Sequence, residues 1–403
     1  MDADVIVIGG GPAGGLAARQ LARKGLSVLL LEEHSEVGRP VHCAGLIGID
    51  GLRGAGVLPK PSVVVGKVSR SVFHAPSGSV LVFDKGAPHA YVVHRDLLDQ
   101  QIVHEAQAAG AEIQLNCRVL RCHPEPGGIR VMTQYSSSSM EYRAQVVVDA
   151  EGVGGRLARE NGLSGPRAHY VLRALQYEVS NVALRPDTVH LYFNERLARG
   201  FFAWVIPLGA THARVGLASA ASDVRRALDS FVTGCPQVRA ARIEKRFAGL
   251  VYTGGPASKT VADRFLAVGD AAGQTKATTG GGVVAGCGCA VIAAACIQRA
   301  MRAGVYNGAE LCRYERVWKR GWGRQLGLMA LLRRLVNSLS NAELDRLFLA
   351  LRKAGARPLV EATGDIDHQG RLIRAAFASP RLLGGVLPLL ISKLPYLPLL
   401  FFP

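Results

Sequence analysis

Three glycines near the start of the chain have the spacing of a loop that binds the phosphates of a dinucleotide. In the run GGGPAG, residues 9–14, Gly9 permits a tight turn, Gly11 lets a pyrophosphate approach the backbone, and Gly14 lets a helix pack closely on a strand. Ala13 lies inside the same turn. The helix that follows would present the positive end of its dipole to the phosphates.

The elements around this turn are those that would position it. Residues 5–8 and 27–31 are apolar runs typical of buried strands, and residues 12–24 have helical periodicity. The order strand, glycine turn, helix, strand predicts a parallel, doubly wound sheet. Glu32 ends the second strand, where its carboxylate is placed to accept hydrogen bonds from an adenosine ribose.

A second glycine-rich segment lies near the other end of the chain. Residues 265–273 read FLAVGDAAG and residues 278–283 read TTGGGV. This pair resembles the GD motif of glutathione-reductase-type flavoproteins, in which the aspartate, here Asp270, bonds the ribityl chain and the glycines approach the flavin. The resemblance implies further contacts to FAD from Gly281, Gly282 and Val283. Two motifs in this order favour FAD over NAD.

Residues 92–99 resemble the segment in which this superfamily places an arginine against FAD, here Arg95. The alternative is an ordinary helix start with Asp96 as its cap. Val119, on the following strand, stands where the family pattern has a backbone contact to adenine.

The predicted fold class is α/β. It is an FAD-binding Rossmann domain like those of glutathione reductase and p-hydroxybenzoate hydroxylase, with an antiparallel-sheet substrate domain and a helical C-terminal region. We assign residues 1–62, 93–166 and 254–300 to the FAD domain, residues 63–92 and 167–253 to the substrate domain, and residues 301–403 to a basic helical region with an apolar tail.

Two local patterns resemble the geranylgeranyl reductase family. Residues 38–45, GRPVHCAG, resemble its PxxC segment, and residues 202–207, FAWVIP, with Gly216 beyond, resemble its YxWxFP…G cavity motif. The form of the flavin loop is close to that of the archaeal digeranylgeranylglycerophospholipid reductase type. The chain departs from the pattern at Phe202 and Ile206, so the cavity loses a phenol hydroxyl.

This resemblance implies FAD-dependent reduction of C=C double bonds in the geranylgeranyl groups of a membrane lipid or its precursor. The implied substrate cavity is lined by Phe202, Trp204, Ile206 and Pro207, although these could also be one buried strand face. Cys43, Ala44 and Gly45 would lie beside the flavin.

Reduction of an isolated alkene needs a hydride donor, a proton donor and a dry site. The first candidate for the proton is Cys43, because a thiol with its usual pKa of about 8.5 is mostly protonated at neutral pH. The alternative is a cysteine that only packs against the ring, and His42 and His94 are secondary candidates.

The electron donor is left open between NADPH, ferredoxin and another reduced carrier. Flavoprotein hydroxylases resemble one another in an Asp-Gly motif, but this chain has Glu151 for the aspartate and Gly155 where serine is common. We find no second dinucleotide fold. A prenylquinone-tail reductase, a flavin monooxygenase and a non-catalytic prenyl-binding protein are the alternative functions.

The net charge of +17, with 48 basic against 31 acidic residues, predicts an acidic partner. Many cations follow Arg299 and are interleaved with apolar residues. No nucleic-acid-binding motif accompanies them, so we expect an anionic membrane surface and no nucleic acid; the alternative is a solvated basic helical face.

The chain ends in an apolar tail, residues 382–403, which is interrupted by prolines 388, 395 and 398. We expect an interfacial segment with Tyr396, Phe401 and Phe402 at the lipid boundary, and the alternative is that the tail packs on the core. Eight scattered cysteines indicate reduced thiols and no metal site. With no signal-like N-terminus, we expect a cytoplasmic protein attached peripherally to the membrane.

Overall fold

The structure is a computed structural model that describes residues 1–135 and 138–393. The strands are β1 Ala3–Ile8, β2 Val28–Leu31, β3 Leu46–Gly48, β4 Val64–Val68, β5 Arg70–His74, β6 Val80–Asp84, β7 Ala90–Val93, β8 Glu112–Gln114, β9 Cys117–Glu125, β10 Gly128–Tyr135, β11 Ser138–Asp149, β12 Val171–Ser180, β13 Thr188–Tyr192, β14 Ala203–Pro207, β15 Ala213–Ser219, β16 Arg242–Tyr252, β17 Val261–Ala262 and β18 Phe265–Ala267. The α-helices are α1 Pro12–Ala22, α2 Ile49–Gly54, α3 Arg95–Ala108, α4 Arg156–Glu160, α5 Val224–Gly234, α6 Val283–Ala303, α7 Gly308–Trp318, α8 Arg324–Asn337, α9 Asn341–Lys353, α10 Ala356–Thr363, α11 Gly370–Ala378 and α12 Pro380–Ser392.

The first sheet is the predicted parallel one. Its strand order is β17-β18-β11-β1-β2-β8, with β10 and β9 added through β11, and β1 runs parallel to both β2 and β11. Because side chains alternate along a strand, Val5 and Val7 of β1 pack into the core under α1, α3 and α6, whereas Ile6 and Ile8 pack on the other face. Burial of both faces explains why these strands are continuous apolar runs.

The second sheet has seven strands in the order β16-β12-β15-β14-β13-β5-β6. Its strands are antiparallel except for the parallel pair β13 and β5. One face is covered by α5 through Leu228 and Phe231. The other face carries Phe202, Trp204 and Ile206 and turns toward the first sheet and the C-terminal helices. The small sheet β3-β7-β4 contributes Ile47 and Val93 to the core of the first sheet, and Ala90 and Val92 to the cluster that contains Trp204.

The C-terminal region is helical, as the sequence predicts, but it does more than present a basic face. Helices α9 and α10 pack on β6 of the second sheet, where Phe348 joins Leu81 and Phe83 in one apolar cluster. Helix α12 packs on α9, and Lys393 after its end pairs with Glu343 at 2.8 Å. Pro388 lies inside α12. Tyr396, Phe401 and Phe402 lie outside the described residues.

One helix in the described part of the chain, α6, is long and apolar enough to cross a bilayer, but 61% of its most apolar window is buried inside the protein. It packs against α1 and α7 as a core helix. Helices α11 and α12 are long and apolar enough to cross a bilayer only when they are taken together, and the chain bends by 92° between them.

Candidate active site

One cavity of about 1690 Å³ joins the two motifs, and the predicted site residues line it, with the exceptions of Pro207 and the secondary candidate His94. At one end lie the glycine turn, Glu32 and Val119; in the middle lie the segment from Cys43 to Gly45, Arg95 and Asp270. Beyond them the walls are apolar, with the second sheet on one side and α8 to α12 on the other.

The glycine turn leaves room for a ligand where the motif predicts it. A Cβ at Gly9, whose φ is +96°, would lie 2.6 Å from the carbonyl oxygen of Ala150, and one at Gly14 would clash with the carbonyl of Gly9. A Cβ at Gly11 would meet no protein atom within 4 Å. Gly9 and Gly14 are therefore required by packing, whereas the space at Gly11 fits an approaching pyrophosphate.

Glu32 holds the glycine turn in place. Its Oε2 accepts a hydrogen bond from the backbone N–H of Gly10 at 2.6 Å, and its Oε1 lies 3.0 Å from the N–H of His34 and 2.6 Å from His34 Nδ1. A carboxylate has more lone pairs than these bonds use. Glu32 can therefore still accept the hydrogen bond from a ribose hydroxyl that the sequence predicts.

Arg95 is the first residue of α3, and its guanidinium pairs with Asp99 one turn later. Nη2 lies 3.1 Å and 3.0 Å from the two carboxylate oxygens. Burial alone would lower the pKa of Arg95, but the charge of Asp99, with a smaller contribution from Cys43, raises it. Arg95 thus stays charged beside Cys43. Asp96 makes no side-chain cap to α3; the capping position is His94.

Asp270 lies where the flavin loop meets the N-terminus of α6. It accepts a short hydrogen bond from Thr275, and a Cβ at Gly282 would clash with its carboxylate. Burial raises the pKa of Asp270, while Thr275 and Arg95 oppose the rise. Gly281 and the capping residue Gly282 precede α6, and Val283 begins it; all three line the cavity, so the N-terminal N–H groups and the positive end of the helix dipole lie beside it.

The apolar wall is organised around Trp204. Trp204, Gly216 and Gln176 stand in one row across β14, β15 and β12. The indole Nε1 donates to Gln176 Oε1 at 3.0 Å, and a Cβ at Gly216 would lie 2.6 Å from Trp204 Cζ2. Pro207 is buried but does not line the cavity in the described part of the chain, because strand alternation places it on the same face as Ala203 and Val205.

The two histidines named as secondary proton donors lie in different surroundings. His42 lines the cavity, and its Nδ1 lies 2.8 Å from the carbonyl oxygen of Ala248. His94 is exposed and does not line the cavity among the described residues, which favours Cys43 over it as the proton donor. The carbonyl oxygen of Val119 accepts from Arg156 Nη2 at 2.8 Å.

The sequence gives no signal for three buried cations near the cavity: Lys276 and Arg333 line it, and Arg214 contacts the cavity-lining residue Ala44. Arg214 donates to the carbonyls of Ala44 at 3.0 Å and Val93 at 2.9 Å, which ties the cysteine segment to the second sheet. Lys276, in the flavin loop, pairs with Asp367, and the two side chains are only 5% and 2% exposed. These contacts join chain segments that are far apart in sequence, so spacing gives no signal for them.

Arg333 of α8 is the third of these cations, with 4% exposure. Its Nε donates to the carbonyl of Ala277 at 3.0 Å, and its guanidinium carbon lies 4.7 Å from the ring centre of Phe201. Burial lowers the pKa of Arg333 to about 10. Arg333 therefore connects the flavin loop to the helical wall.

The comparisons with known proteins agree with this geometry. The model of the FAD binding domain family matches residues 2–234. Digeranylgeranylglycerophospholipid reductase 2 of Methanothermobacter thermautotrophicus is 33% identical over 354 residues, which cover 87% of this chain and 92% of that protein. A geranylgeranyl bacteriochlorophyll reductase-like structure from Thermoplasma acidophilum aligns with a TM-score of 0.85 and 25% identity, covering 96% of this chain and 99% of the other.

The p-nitrophenol 4-monooxygenase of Pseudomonas putida has a TM-score of 0.70 but only 18% identity, covering 94% of this chain and 98% of the other. That likeness concerns the fold alone. The chain is an FAD-binding flavoprotein of the Rossmann type, with the fold that the sequence predicts. Within that class it belongs to the family of the digeranylgeranylglycerophospholipid reductases.

Proposed function

We propose that the chain reduces the C=C double bonds of geranylgeranyl groups on a membrane lipid or lipid precursor. The observation that carries this proposal is the continuity of the cavity. One volume joins the FAD site at Gly11 and Asp270 to long apolar walls around Trp204 and α8 to α12. A prenyl chain has no polar groups along its length, and such walls suit it.

The chain's own residues would hold FAD and keep the reacting carbons dry. The glycine turn and Glu32 would hold the dinucleotide end, and Arg95, Asp270 and the start of α6 would hold the flavin end. In its reduced form, bound FAD supplies the hydride that the alkene receives. Trp204, fixed by Gln176 and Gly216, would orient the prenyl chain.

Cys43 is our proposed source of the proton that the second alkene carbon needs. Its Sγ accepts a hydrogen bond of 3.4 Å from the N–H of Gly45 and faces the cavity. Loss of the proton leaves a thiolate, which the Arg95 guanidinium would stabilise, and solvent then returns the proton. Cys43→Ser and Cys43→Ala should both lose most of the activity while retaining FAD absorbance, whereas wild-type rates in both would remove Cys43 from this role.

The reaction can be tested by mass spectrometry. Purified protein, chemically reduced, is mixed with a digeranylgeranyl glycerolipid and, separately, with a prenylquinone. A mass gain of two hydrogens per double bond in the glycerolipid is expected, and a Trp204→Ala variant should lose this activity while retaining flavin absorbance near 450 nm. Reduction of the quinone tail alone, or hydroxylation of an aromatic acid, would replace our proposal with the corresponding alternative.

A non-catalytic prenyl-binding role would be indicated by protein that binds lipid but no flavin. The reductant is a separate proposal: NADPH, ferredoxin or another reduced carrier delivers the electrons. Bleaching of the flavin at 450 nm under anaerobic conditions with each donor in turn would identify it.

We also propose a cytoplasmic location with peripheral attachment to an anionic membrane. The net charge of +17 supports attachment to an anionic surface. The lipid substrate is insoluble in water, because removing apolar surface from water is worth about 25 cal/mol per Å², so the enzyme must reach it at the membrane. Cations near such a membrane contribute up to about 1 kcal/mol each at low salt. Co-sedimentation with anionic but not neutral vesicles, weakened by salt, is expected.

A further inference from the structure

The wall of the cavity extends to the corner between α11 and α12. Leu372, Ile373, Ala376 and Phe377 of α11 line it, as do Leu382, Leu383, Val386 and Leu389 of α12. The two helices meet at 92°. The inner faces of this corner are therefore part of the apolar wall that continues to Trp204.

Two apolar side chains are exposed on the outer side of this corner. Phe377, at the end of α11, is 55% exposed although it also lines the cavity, and Leu387 of α12 is 43% exposed. Leu382 between them is buried. Phe377 thus belongs both to the cavity wall and to the outer surface.

Exposed cations lie on both helices of this corner. Arg371, Arg374 and Arg381 are exposed on the two helices, and none of them forms an ion pair in the described part of the chain. The sequence has no Asp or Glu between residues 368 and 403. A surface with an exposed aromatic ring among unpaired arginines is complementary to an anionic lipid bilayer.

The corner is anchored to the rest of the protein. Helix α12 packs on α9, and the pairing of Lys393 with Glu343 lowers the pKa of that carboxyl to about 2. Buried Ile373 of α11 packs with Leu326 and Met329 of α8. The corner of α11 and α12 is therefore held at a fixed position relative to the cavity.

We propose that the corner of α11 and α12 is a lateral portal that inserts Phe377 into an anionic bilayer and passes prenyl chains between the bilayer and the cavity. This inference rests on the proposed function, because it assigns a route to that substrate. A chain that enters here does not cross water, since the bilayer and the cavity wall are both apolar.

Insertion is tested with a Phe377→Trp variant and vesicles containing brominated phosphatidylglycerol. The tryptophan at 377 should shift its emission to shorter wavelength and be quenched by the brominated acyl chains. Val317→Trp is the matched control, because Val317 is 44% exposed on α7, outside the C-terminal wall. Quenching at 377 that does not exceed quenching at 317 would overturn the proposal.

The route is tested with a variant in which Arg371, Arg374 and Arg381 are all changed to Gln. We expect at least a tenfold loss of reduction of a digeranylgeranyl lipid embedded in anionic vesicles, with unchanged reduction of a short prenyl alcohol in solution. Wild-type rates on both substrates would overturn the portal. If the wild-type protein reduces neither substrate, the proposed function fails instead.

Discussion

The indole of Trp204 occupies the space that Gly216 leaves open. A Cβ atom on residue 216 would lie 2.6 Å from Trp204 Cζ2 and 2.8 Å from the carbonyl oxygen of Leu175. The glycine beyond the FAWVIP segment is thus explained by packing: it allows the ring to lie flat across β15 and reach Gln176.

Gly216→Ala should displace this ring without affecting the flavin site. We expect a loss of about 1–3 kcal/mol of stability from overpacking and a strong decrease in lipid reduction, with FAD absorbance retained. Gly327→Ala in α8 is the control, since a Cβ there meets nothing within 4 Å and a helical alanine is favoured over glycine. If Gly216→Ala is as active as Gly327→Ala, the ring position is unimportant.

Gly11→Ala and Gly14→Ala should fail in different ways. At Gly11 the added methyl meets no protein atom, so the apoprotein should keep its melting temperature but bind FAD at least tenfold more weakly. At Gly14 the methyl clashes with the Gly9 carbonyl, so the apoprotein itself should be destabilised. FAD titration and thermal melting of both apoproteins check this, and normal FAD affinity in Gly11→Ala would mean that the pyrophosphate lies elsewhere.

His74 predicts a pH dependence of stability. Its pKa is lowered from 6.5 to about 4 by burial, with a further contribution from the charge of His190. Between these values the unfolded chain binds more protons than the folded one, so stability is lost as pH falls from 6.5 toward 4. Because His74 stacks on Tyr192 at 4.1 Å, His74→Phe can keep the stacking without titrating.

The melting temperature of His74→Phe should therefore fall less than that of the wild type between pH 6.5 and pH 4.5. His104→Gln, on the exposed side of α3, is a control that removes a histidine outside this cluster. Parallel melting curves for wild type and His74→Phe across this range would contradict the assignment.

Lys276 and Asp367 form a buried ion pair, and removing one partner should be costly. Lys276→Met leaves the Asp367 carboxylate buried without its counter-charge, which costs about 3–5 kcal/mol. The double change with Asp367→Asn should recover part of the loss. Lys319→Met breaks the more exposed pair with Glu315 and should cost about 1 kcal/mol or less. Denaturant unfolding compares the three variants, and equal losses in both single variants would argue against burial as the cause.

The sequence predicts the flavin end of this molecule well because that end is built from local patterns. The glycine turn and Glu32 each lie next to the strand or helix that positions them, so their spacing predicts them, and the loop around Asp270 is predicted by its resemblance to the flavoprotein GD motif. The family resemblance and FAD are confirmed by the comparisons.

The far end of the cavity could not be predicted in the same way. Its walls come from β5, β6, β13 and β14 and from α8 to α12, which are separated by more than a hundred residues of chain. Apolar residues at helical spacing on α9 fit a membrane face and a cavity wall equally well. The contacts of Arg333 and Lys276 depend on that packing and leave no local pattern.

The division of the cavity between a sheet and a set of terminal helices has an evolutionary consequence. The residues proposed to hold FAD lie on or next to the strands of the first sheet and α1, α3 and α6, whereas α9 to α12 come after them in the chain and contact mainly the far wall. Changes in these late helices could therefore alter the length or branching of the accepted prenyl chain while the redox chemistry is inherited intact. Among related proteins that differ in the prenyl chains they accept, the sequence differences responsible would then lie mostly in the last hundred residues.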